Sequence, residues 1–229
     1  MEQTAFIITL TGPSQSGKTL IMDKIVQIGT RLNEEKTHFI PQKIKKYTTR
    51  HLRLNEIHQI ENGVAVDVEF VKRIPESCDL VYQTYGIRYG LATKSLDDLL
   101  KKNISPIVVI NDIRAVEEIR KVFHGQVLSL FLFRKIPEIE DFKEEARDRG
   151  NVSEQEIRAR YEKAVAIYHT YIENICLFDH VILNAIEYLP NEDEFRVIWD
   201  LLIYPVYDVF IYPMSASIID AITNDLNDM

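Results

Sequence analysis

Residues 5–19 read AFIITLTGPSQSGKT, and this stretch decides the fold. Its first part, residues 5–10, is a continuous apolar run rich in Ile and Phe, which is typical of a buried strand in a parallel sheet. The second part matches the pattern G-x-x-x-x-G-K-[ST] in full, from Gly12 to Thr19. A helix is predicted from Gly17 onward because apolar residues then recur at helical spacing: Leu20, Ile21, Ile25 and Ile28.

The spacing of this loop follows from the chemistry of phosphate binding. A turn that contains glycine lets successive backbone N–H groups point at phosphate oxygens, and the following helix adds the positive end of its dipole. Lys18 is expected to reach the β and γ phosphates of a nucleoside triphosphate, and the Thr19 hydroxyl is expected to bind Mg²⁺. The residues predicted to bind ATP are Gly12, Pro13, Ser14, Gln15, Ser16, Gly17, Lys18 and Thr19.

Composition and charge restrict the classes of function. The 229 residues include 27 Lys and Arg against 35 Asp and Glu, which gives a formal net charge of -8. This acidic balance argues against a protein that coats nucleic acid or an anionic membrane. The two cysteines, Cys78 and Cys176, indicate neither a disulfide framework nor a zinc site, and both are expected to be buried thiols. The first apolar run has no basic segment before it and no long apolar stretch occurs, so we expect a soluble cytoplasmic protein.

Apolar strands and amphipathic helices alternate along the chain, which predicts an α/β fold with a parallel sheet and helices on both faces. Between residues 57 and 89 the pattern suggests short strands. The long helical segment is expected to break at Gly150-Asn151 and to restart at a capping box formed by Ser153 and Glu156. The elements predicted after residue 90 are helices at 95–103, 114–123, 137–178 and 191–202 and strands at 105–112, 127–133 and 180–184.

A phosphate loop leaves three classes of protein open: a kinase, a switch GTPase and a motor-type ATPase. The chain has no N-K-x-D motif for reading guanine in a GTPase, and it is short for an oligomeric ATPase. A small kinase remains, which must hold a second substrate near the γ-phosphate. The cationic candidates for that role are Lys46, Arg50, Arg53, Arg88 and Arg114. An Arg fork can hold a phosphate through two parallel hydrogen bonds, whereas the alternative for the whole set is a solvated basic face.

The order of these motifs resembles the guanylate kinase family. Its members follow a GPS-x-x-GK loop with a Y-T-T-R-x-x-R segment, a YG segment, an apolar strand ending in Asp and an R-x-x-x-R-G lid. The corresponding positions here are Gly12-Pro13-Ser14, Tyr47 to Arg50 with Arg53 and Glu56, Tyr89-Gly90, Asp112, and Arg149-Gly150 with Arg160. The resemblance implies a phosphate-loop NTPase fold in residues 1–202, with an acceptor-binding insertion at about 40–90 and a helical lid at about 140–160.

The resemblance also implies roles for residues outside the loop. Arg50, Arg53 and Tyr89 are implied to bind the phosphate of the acceptor. Arg149 and Arg160 are implied to lie on the lid and to close over the phosphates of ATP. The residues implied to act in catalysis are Lys18, Arg149, Arg160 and Asp112, the last of them near Mg²⁺ and the reacting phosphates.

The positions at which family members read guanine are altered in this chain. Val68 replaces a Tyr, Leu80 replaces a Glu with Asp79 beside it, and Leu91 replaces a Ser or Thr. Guanine needs a hydrogen-bond acceptor for its N1 and N2 hydrogens and a donor for its O6, and leucine offers neither. Each unpaired group in a closed pocket is expected to cost about 1–3 kcal/mol.

A related branch, the ribose 1,5-bisphosphate phosphokinases, is similar at two further points: an R-Y-x-T-R segment, here residues 46–50, and a V-N-x-x-R-A stretch, here 110–115. Arg114 would suit an acceptor with an additional phosphate. The expected activity is transfer of the γ-phosphoryl group of Mg-ATP to the phosphate of a small acceptor. The resemblance to the guanylate kinase family implies a nucleoside monophosphate such as GMP as the acceptor. The resemblance to the ribose 1,5-bisphosphate phosphokinases implies ribose 1,5-bisphosphate instead. A non-catalytic binding module is the third alternative.

Two segments depart from the family pattern. Glu145 stands where the first lid arginine is expected, and Arg147 is a candidate to replace it. Residues 203–229 form an extension in which two Tyr-Pro pairs enclose an apolar, aromatic piece. Such a piece either folds back onto the core or forms a contact between two copies of the chain in a homodimer.

Overall fold

The computed structural model describes residues 5–13, 16–34, 39–52, 54–62, 66–84, 86–133, 139–148 and 153–183. Within these residues the strands, in chain order, are β1 (Ile7–Thr11), β2 (Pro41–Lys43), β3 (Lys46–Thr48), β4 (Val68–Phe70), β5 (Leu80–Thr84), β6 (Ile87–Leu91), β7 (Ser105–Val109), β8 (Val127–Phe133) and β9 (His180–Leu183). The helices are α1 (Lys18–Glu34), α2 (Leu54–Glu61), α3 (Thr93–Leu100), α4 (Ile113–Val122), α5 (Ile139–Asp148) and α6 (Glu154–Glu173). No helix in the described ranges combines the length and the apolar character needed to cross a membrane.

The main sheet of the described part has five strands in the order β2-β7-β1-β8-β9, and every neighbouring pair is parallel. All five residues of β1 and all five of β7 are buried. Strands of a parallel sheet are covered on both faces, so they read as continuous apolar runs, as residues 5–10 do here. The predicted α/β fold with a parallel sheet is therefore confirmed.

Helices pack on both faces of the main sheet. Ile8 points to one face, where it packs with Ile21 of α1. Its neighbour Ile7 points to the other face, where it packs with Ile119 of α4 and with residues of α3. Adjacent residues of a strand point to opposite faces, so the two core clusters together enclose the strand that leads into the loop.

A second sheet of four strands, in the order β4-β3-β6-β5, lies within the segment that was predicted as the acceptor-binding insertion. Strands β3 and β4 pair in parallel, whereas β6 pairs antiparallel with both β3 and β5. Gly90 of β6 has no room for a side chain, since a Cβ there would lie 2.3 Å from Ile74 Cγ2 and 3.1 Å from Cys78 Cβ. The boundaries of the insertion and of the 1–202 domain stay predictions.

The helical segment after β8 divides as predicted. α5 ends at Asp148 and α6 begins directly after Ser153. The two helices pack on each other, and the rings of Phe142 and Tyr161 meet edge to face with centroids 5.5 Å apart. The far end of α6 contacts the main sheet through Tyr171, whose ring stacks on Phe131 of β8 with centroids 3.8 Å apart. The predicted helix at 191–202 and the extension at 203–229 lie outside the described residues.

Two predictions of local structure were wrong. Residues 54–61 form α2, although short strands were predicted from residue 57 onward. The helix is only eight residues long and its Ile60 is 48% exposed, so its apolar pattern is weak. Leu20 was placed on the buried face of α1 but is 37% exposed, and Met22 is buried in its place. The apolar face of α1 is thus turned by part of a helical turn from the predicted one.

The prediction for the cysteines was half right. Both thiols are free, and Cys78 is buried beside Gly90. Cys176 is exposed, contrary to the prediction, because it lies in a short 3-10 turn between α6 and β9 rather than inside a helix or strand.

Candidate active site

The phosphate loop joins the carboxyl end of β1 to the first turn of α1. A Cβ at Gly12 would lie 2.6 Å from the carbonyl oxygen of Leu132 and 2.8 Å from Ser16 Oγ, so no side chain fits there. Gly17 has a φ of 82°, in the left-handed region that favours glycine. The path of the main chain therefore requires both glycines of the predicted motif.

The side chain of Lys18 folds back across the loop. Its Nζ donates to the carbonyl oxygens of Gly12, at 2.9 Å, and Pro13, and to Ser16 Oγ at 3.3 Å. The ammonium group is thus held at the loop by oxygen atoms of the kind that a phosphate also offers. Thr19 follows in the first turn of α1 and is exposed. Ser14 and Gln15, which were also predicted to bind ATP, lie outside the described residues.

The carboxyl end of β7 lies beside the loop, because β1 and β7 are parallel neighbours with Leu10 paired to Val109. Asn111, which follows β7, accepts a hydrogen bond through Oδ1 from the N–H of Gly12 at 3.3 Å. This contact ties the first glycine of the loop to the next strand. Sequence reasoning missed Asn111 as a site residue, although its place directly after an apolar strand was an available signal.

Asp112 lies next to Asn111 and acts as the N-cap of α4. Its Oδ1 accepts from the N–H of Ala115 at 2.8 Å. The structure therefore gives Asp112 a capping role that the sequence did not suggest, while its role near Mg²⁺ and the reacting phosphates stays a prediction. Arg114 lies in the first turn of α4 and is exposed.

Arg50 is held in a fixed orientation by Glu56. Its Nη1 donates to Glu56 Oε2 at 2.7 Å and its Nη2 donates to Oε1, while Nη1 also donates to the carbonyl oxygen of His51 at 3.1 Å. Both charged side chains are only 9% exposed. Burial acts to lower the pKa of Arg50, but the hydrogen bond and the charge of Glu56 outweigh it and raise the pKa.

The contacts of Arg50 leave one edge of the guanidinium for a ligand. The Nε–H and the outer Nη2–H have no partner among the described residues. Two N–H groups along one edge form the fork that binds a phosphate. The guanidinium also lies over the ring of Phe70, with Cζ 4.9 Å from the ring centroid.

One face of the small sheet carries two rows of side chains that run across its strands. The register of the strands places opposite residues side by side on the same face. The first row, from β4 to β5, is Val68, Lys46, Leu91 and Leu80. The second row is Phe70, Thr48, Tyr89 and Tyr82. Arg50 lies at the Phe70 end of the second row.

The three positions at which the sequence predicts lost guanine contacts all lie in the first row. Val68 and Leu91 are buried, and Leu80 packs against the core cluster that contains Leu91. Asp79 does not add a carboxylate to this face, since it accepts from the N–H of Thr93, at 2.7 Å, and from its hydroxyl, at the start of α3. Burial acts to raise the pKa of Asp79, but these hydrogen bonds prevail and lower it.

Two polar side chains reach into the same face. Lys46 is 7% exposed, donates through Nζ to the carbonyl oxygen of Val109, and lies 5.3 Å from the centroid of the Tyr89 ring. Tyr82 stacks on Tyr89 with centroids 5.5 Å apart, and its buried hydroxyl has no hydrogen-bond partner within the described residues. Burial raises the pKa of Tyr82 well above its ordinary value, so the hydroxyl stays protonated. Sequence reasoning missed Tyr82.

The structure brings part of the predicted site together. Lys46 contacts both the end of β7 and the ring of Tyr89, so the acceptor-side face meets the edge of the main sheet that carries the loop. Arg160 lies half-buried in α6. Arg53 and Arg149 lie outside the described residues, and the side chains of Glu145 and Arg147 in α5 are not described. The role of the lid is therefore still a prediction.

Comparisons with known proteins agree with this architecture. Residues 4–187 match the family model described as guanylate kinase. The chain is 26% identical over 203 residues to the guanylate kinase of Streptococcus mutans serotype c. The aligned region covers 86% of this chain and 90% of that protein. It is also similar to the crystal structure of the guanylate kinase from Anaplasma phagocytophilum, with a TM-score of 0.55 and 20% identity over 88% of this chain and 86% of that one. The structural likeness supports the α/β phosphate-loop fold.

Proposed function

Because the chain belongs to the guanylate kinase family, we propose that it is an ATP-dependent kinase that transfers the γ-phosphoryl group of Mg-ATP to a phosphate oxygen of a small acceptor. The observation that carries the proposal is the intact phosphate loop, in which Gly12 and Gly17 stand where the main chain requires glycine and Lys18 lies across the loop. A domain that only binds a partner has no need of this arrangement.

The residues around the loop fit Mg-ATP. The hydroxyl of Thr19 and the carboxylate of Asp112 are hard oxygen donors of the kind that Mg²⁺ prefers. Thr19 would hold the metal, which neutralises charge on the phosphates during transfer. The described residues contain no cluster of three or more His, Cys, Asp or Glu side chains that could hold a metal. A magnesium ion bound largely through substrate phosphates and water does not require such a cluster.

The proposed reaction depends on positioning and charge neutralisation. A phosphate oxygen is already an anionic nucleophile, so no general base is needed. Lys18 would exchange its carbonyl partners for the β and γ phosphate oxygens, and Arg50, with its plane fixed by Glu56, would hold the acceptor phosphate through its remaining edge. In the proposal Arg149 and Arg160 close with the lid, which excludes water and suppresses hydrolysis of ATP.

Two acceptors are compatible with this chemistry. GMP is favoured by the family alone. The row of Val68, Leu91 and Leu80 favours a sugar phosphate such as ribose 1,5-bisphosphate, since none of these side chains can accept the N1 and N2 hydrogens of guanine. Arg114, exposed at the start of α4, adds a cation on the same edge of the main sheet. A binding module without turnover is the remaining candidate.

A coupled assay of ADP release tests the proposal. The full chain is incubated with Mg-ATP and, separately, with GMP, AMP, CMP, UMP and ribose 1,5-bisphosphate, with EDTA as the control for the metal. We expect the bisphosphate to be turned over faster than GMP, and EDTA to abolish the reaction. Brisk turnover of GMP alone would refute the argument from Leu80 and Leu91. Binding of ATP without ADP release from any acceptor would support the binding module instead.

A further inference from the structure

We propose that Asn111 binds phosphate at the donor end of the site: its Oδ1 fixes the first glycine of the loop, and its Nδ2 donates a hydrogen bond to the γ-phosphate of ATP. The inference rests on the proposed function, because it takes Gly12 to Thr19 as the loop that holds ATP. It gives a role to the residue that follows β7, which the sequence motifs did not mark.

The hydrogen bond to Gly12 fixes the orientation of the Asn111 amide. The N–H of Gly12 can only donate, so the atom that it meets at 3.3 Å is the carbonyl oxygen Oδ1 rather than Nδ2. Gly12 is buried, and no main-chain carbonyl among the described residues accepts from this N–H. A buried N–H group without a partner is unfavourable, so the loop itself holds Oδ1 in place.

The main chain on either side of this contact is fixed as well. The hydroxyl of Thr11 donates to the carbonyl oxygen of Ile110 at 2.7 Å, and both residues are fully buried. The N–H of Ile110 in turn donates to the carbonyl oxygen of Leu10 at 2.9 Å. These contacts join the end of β1 to the end of β7, so the amide of Asn111 stays at the loop.

The other end of the Asn111 amide is open to a ligand. Nδ2 carries two N–H donors, and neither has a partner among the described residues. Nδ2 is also not one of the buried unpaired atoms of those residues, and Asn111 is only half-buried, so this end of the amide reaches solvent. A phosphate offers acceptor oxygens and therefore matches these donors.

The chemistry of the side chain explains why an amide suits this position better than a carboxylate. A carboxylate would also accept from the N–H of Gly12, but it would add a second negative charge next to Asp112 and would repel phosphate. An amide accepts at one end and donates at the other without a net charge. Because Oδ1 occupies the N–H of Gly12, the Nδ2 donors replace the hydrogen bond that this N–H no longer offers to phosphate.

The position of Asn111 favours the γ-phosphate over the phosphates farther from the acceptor. Val109, two residues before Asn111, accepts through its carbonyl oxygen from Lys46 of the small sheet. Two residues of extended chain span about 7 Å, so Asn111 lies close to both the loop and the sheet proposed to hold the acceptor. The transferred phosphate passes between those two parts, and an oriented N–H donor there would act on it.

Calorimetric binding of two nucleotides, with Mg²⁺ and without an acceptor, tests both contacts. ADP occupies the loop but has no γ-phosphate, whereas AMP-PNP, a non-hydrolysable analogue of ATP, has all three phosphates. Asn111→Ala removes both contacts, so the affinity should fall about threefold for ADP and about thirtyfold for AMP-PNP. Asn111→Asp keeps an acceptor for Gly12 but loses the donor, so the affinity should fall about tenfold for AMP-PNP and by less than about threefold for ADP.

Asn174→Ala is the matched control. Nδ2 of Asn174 donates to the carbonyl oxygen of Thr170 at 2.8 Å, so this variant also removes an amide hydrogen bond, but at the end of α6 and outside the loop. Both affinities should keep their wild-type values in this variant. Thermal unfolding of each variant shows that it is folded.

The outcomes separate this inference from the proposed kinase activity. Equal losses for ADP and AMP-PNP in Asn111→Ala, or wild-type binding of AMP-PNP by Asn111→Asp, would overturn the contact with the γ-phosphate even if ADP release from an acceptor is observed. A larger loss for AMP-PNP in both variants would support the contact even if no acceptor is turned over, in which case the kinase proposal alone fails.

Discussion

The two ends of the candidate site are built from different parts of the protein. At the donor end, the main chain supplies the binding groups, and Gly12 and Gly17 are fixed by its path. At the proposed acceptor end, the groups that face the ligand would be side chains that project from a four-stranded sheet, among them Tyr89. Binding groups supplied by the main chain can change only if the fold changes, whereas side chains on a sheet can be replaced by substitution while the fold is kept. This difference accounts for a donor end that matches the general phosphate-loop motif and an acceptor end whose side chains differ from the family pattern.

The largest expected effect is at the donor end. Lys18→Ala should lower the rate of ADP release by about 10³-fold, since it removes the cation that stabilises charge on the transferred group. Lys24→Ala, on the same helix and away from the loop, is the matched control and should leave the rate near that of wild type. Activity that survives Lys18→Ala undiminished would show that the loop does not carry the chemistry.

A second effect concerns the frame of the acceptor end. Gly90→Ala should lower the free energy of unfolding by about 1–3 kcal/mol, because the new Cβ would overlap Ile74 Cγ2, which lies 2.3 Å from its position. Urea unfolding measures the change. Adding Ile74→Ala removes the overlapping methyl group. The double variant should therefore lose less free energy of unfolding than the sum of the losses in the two single variants. Simple additivity would mean that β6 moves away to accommodate the methyl group.

A smaller effect should appear in acceptor binding. Glu56→Gln keeps the shape of the partner of Arg50 but removes its charge, so the guanidinium loses part of its fixed orientation. We expect the acceptor KM to rise about tenfold, equivalent to about 1.4 kcal/mol, with the ATP KM unchanged because the loop is not touched. Glu69→Gln, an exposed residue of β4, is the control. An equal effect on both substrates would assign Glu56 to overall stability alone.

Much of the fold could be predicted from the sequence because its main strands are long and apolar. β1, β7 and β8 are buried on both faces, so periodicity and the loop motif were sufficient. The small sheet was harder to predict, since β3 and β4 have three residues each, which is too short for a clear alternation of apolar and polar residues. α2 was missed because it has only eight residues and one of its few apolar side chains, Ile60, is exposed.

The acceptor end was predictable only in part, for a physical reason. The sequence predicted lost guanine contacts at Leu80 and Leu91 but did not show that these two residues are paired on neighbouring strands. Tyr82 reads as an ordinary strand residue until the register places it beside Tyr89. Which face a side chain occupies depends on pairing between distant strands, and a shift of one residue would reverse it.

The smallest expected effect tests whether Asp79 belongs to the acceptor end. Asp79 lies next to Leu80, but its carboxylate accepts from Thr93 at the start of α3. Asp79→Ala should therefore leave acceptor binding unchanged and lower the free energy of unfolding by about 1 kcal/mol at pH 7, as loss of a helix cap does.

Because the folded protein holds the pKa of Asp79 below its ordinary value of 3.8, the charged carboxylate stabilises the fold above that pH, and this stabilisation is lost as the pH falls through the folded-state value. The difference between wild type and variant in urea unfolding should thus shrink below pH 3.8. Asp98→Ala, an exposed carboxylate within α3, serves as the control. Weaker acceptor binding in Asp79→Ala, without a loss of stability, would instead place that carboxylate in the pocket and restore an acceptor for a base.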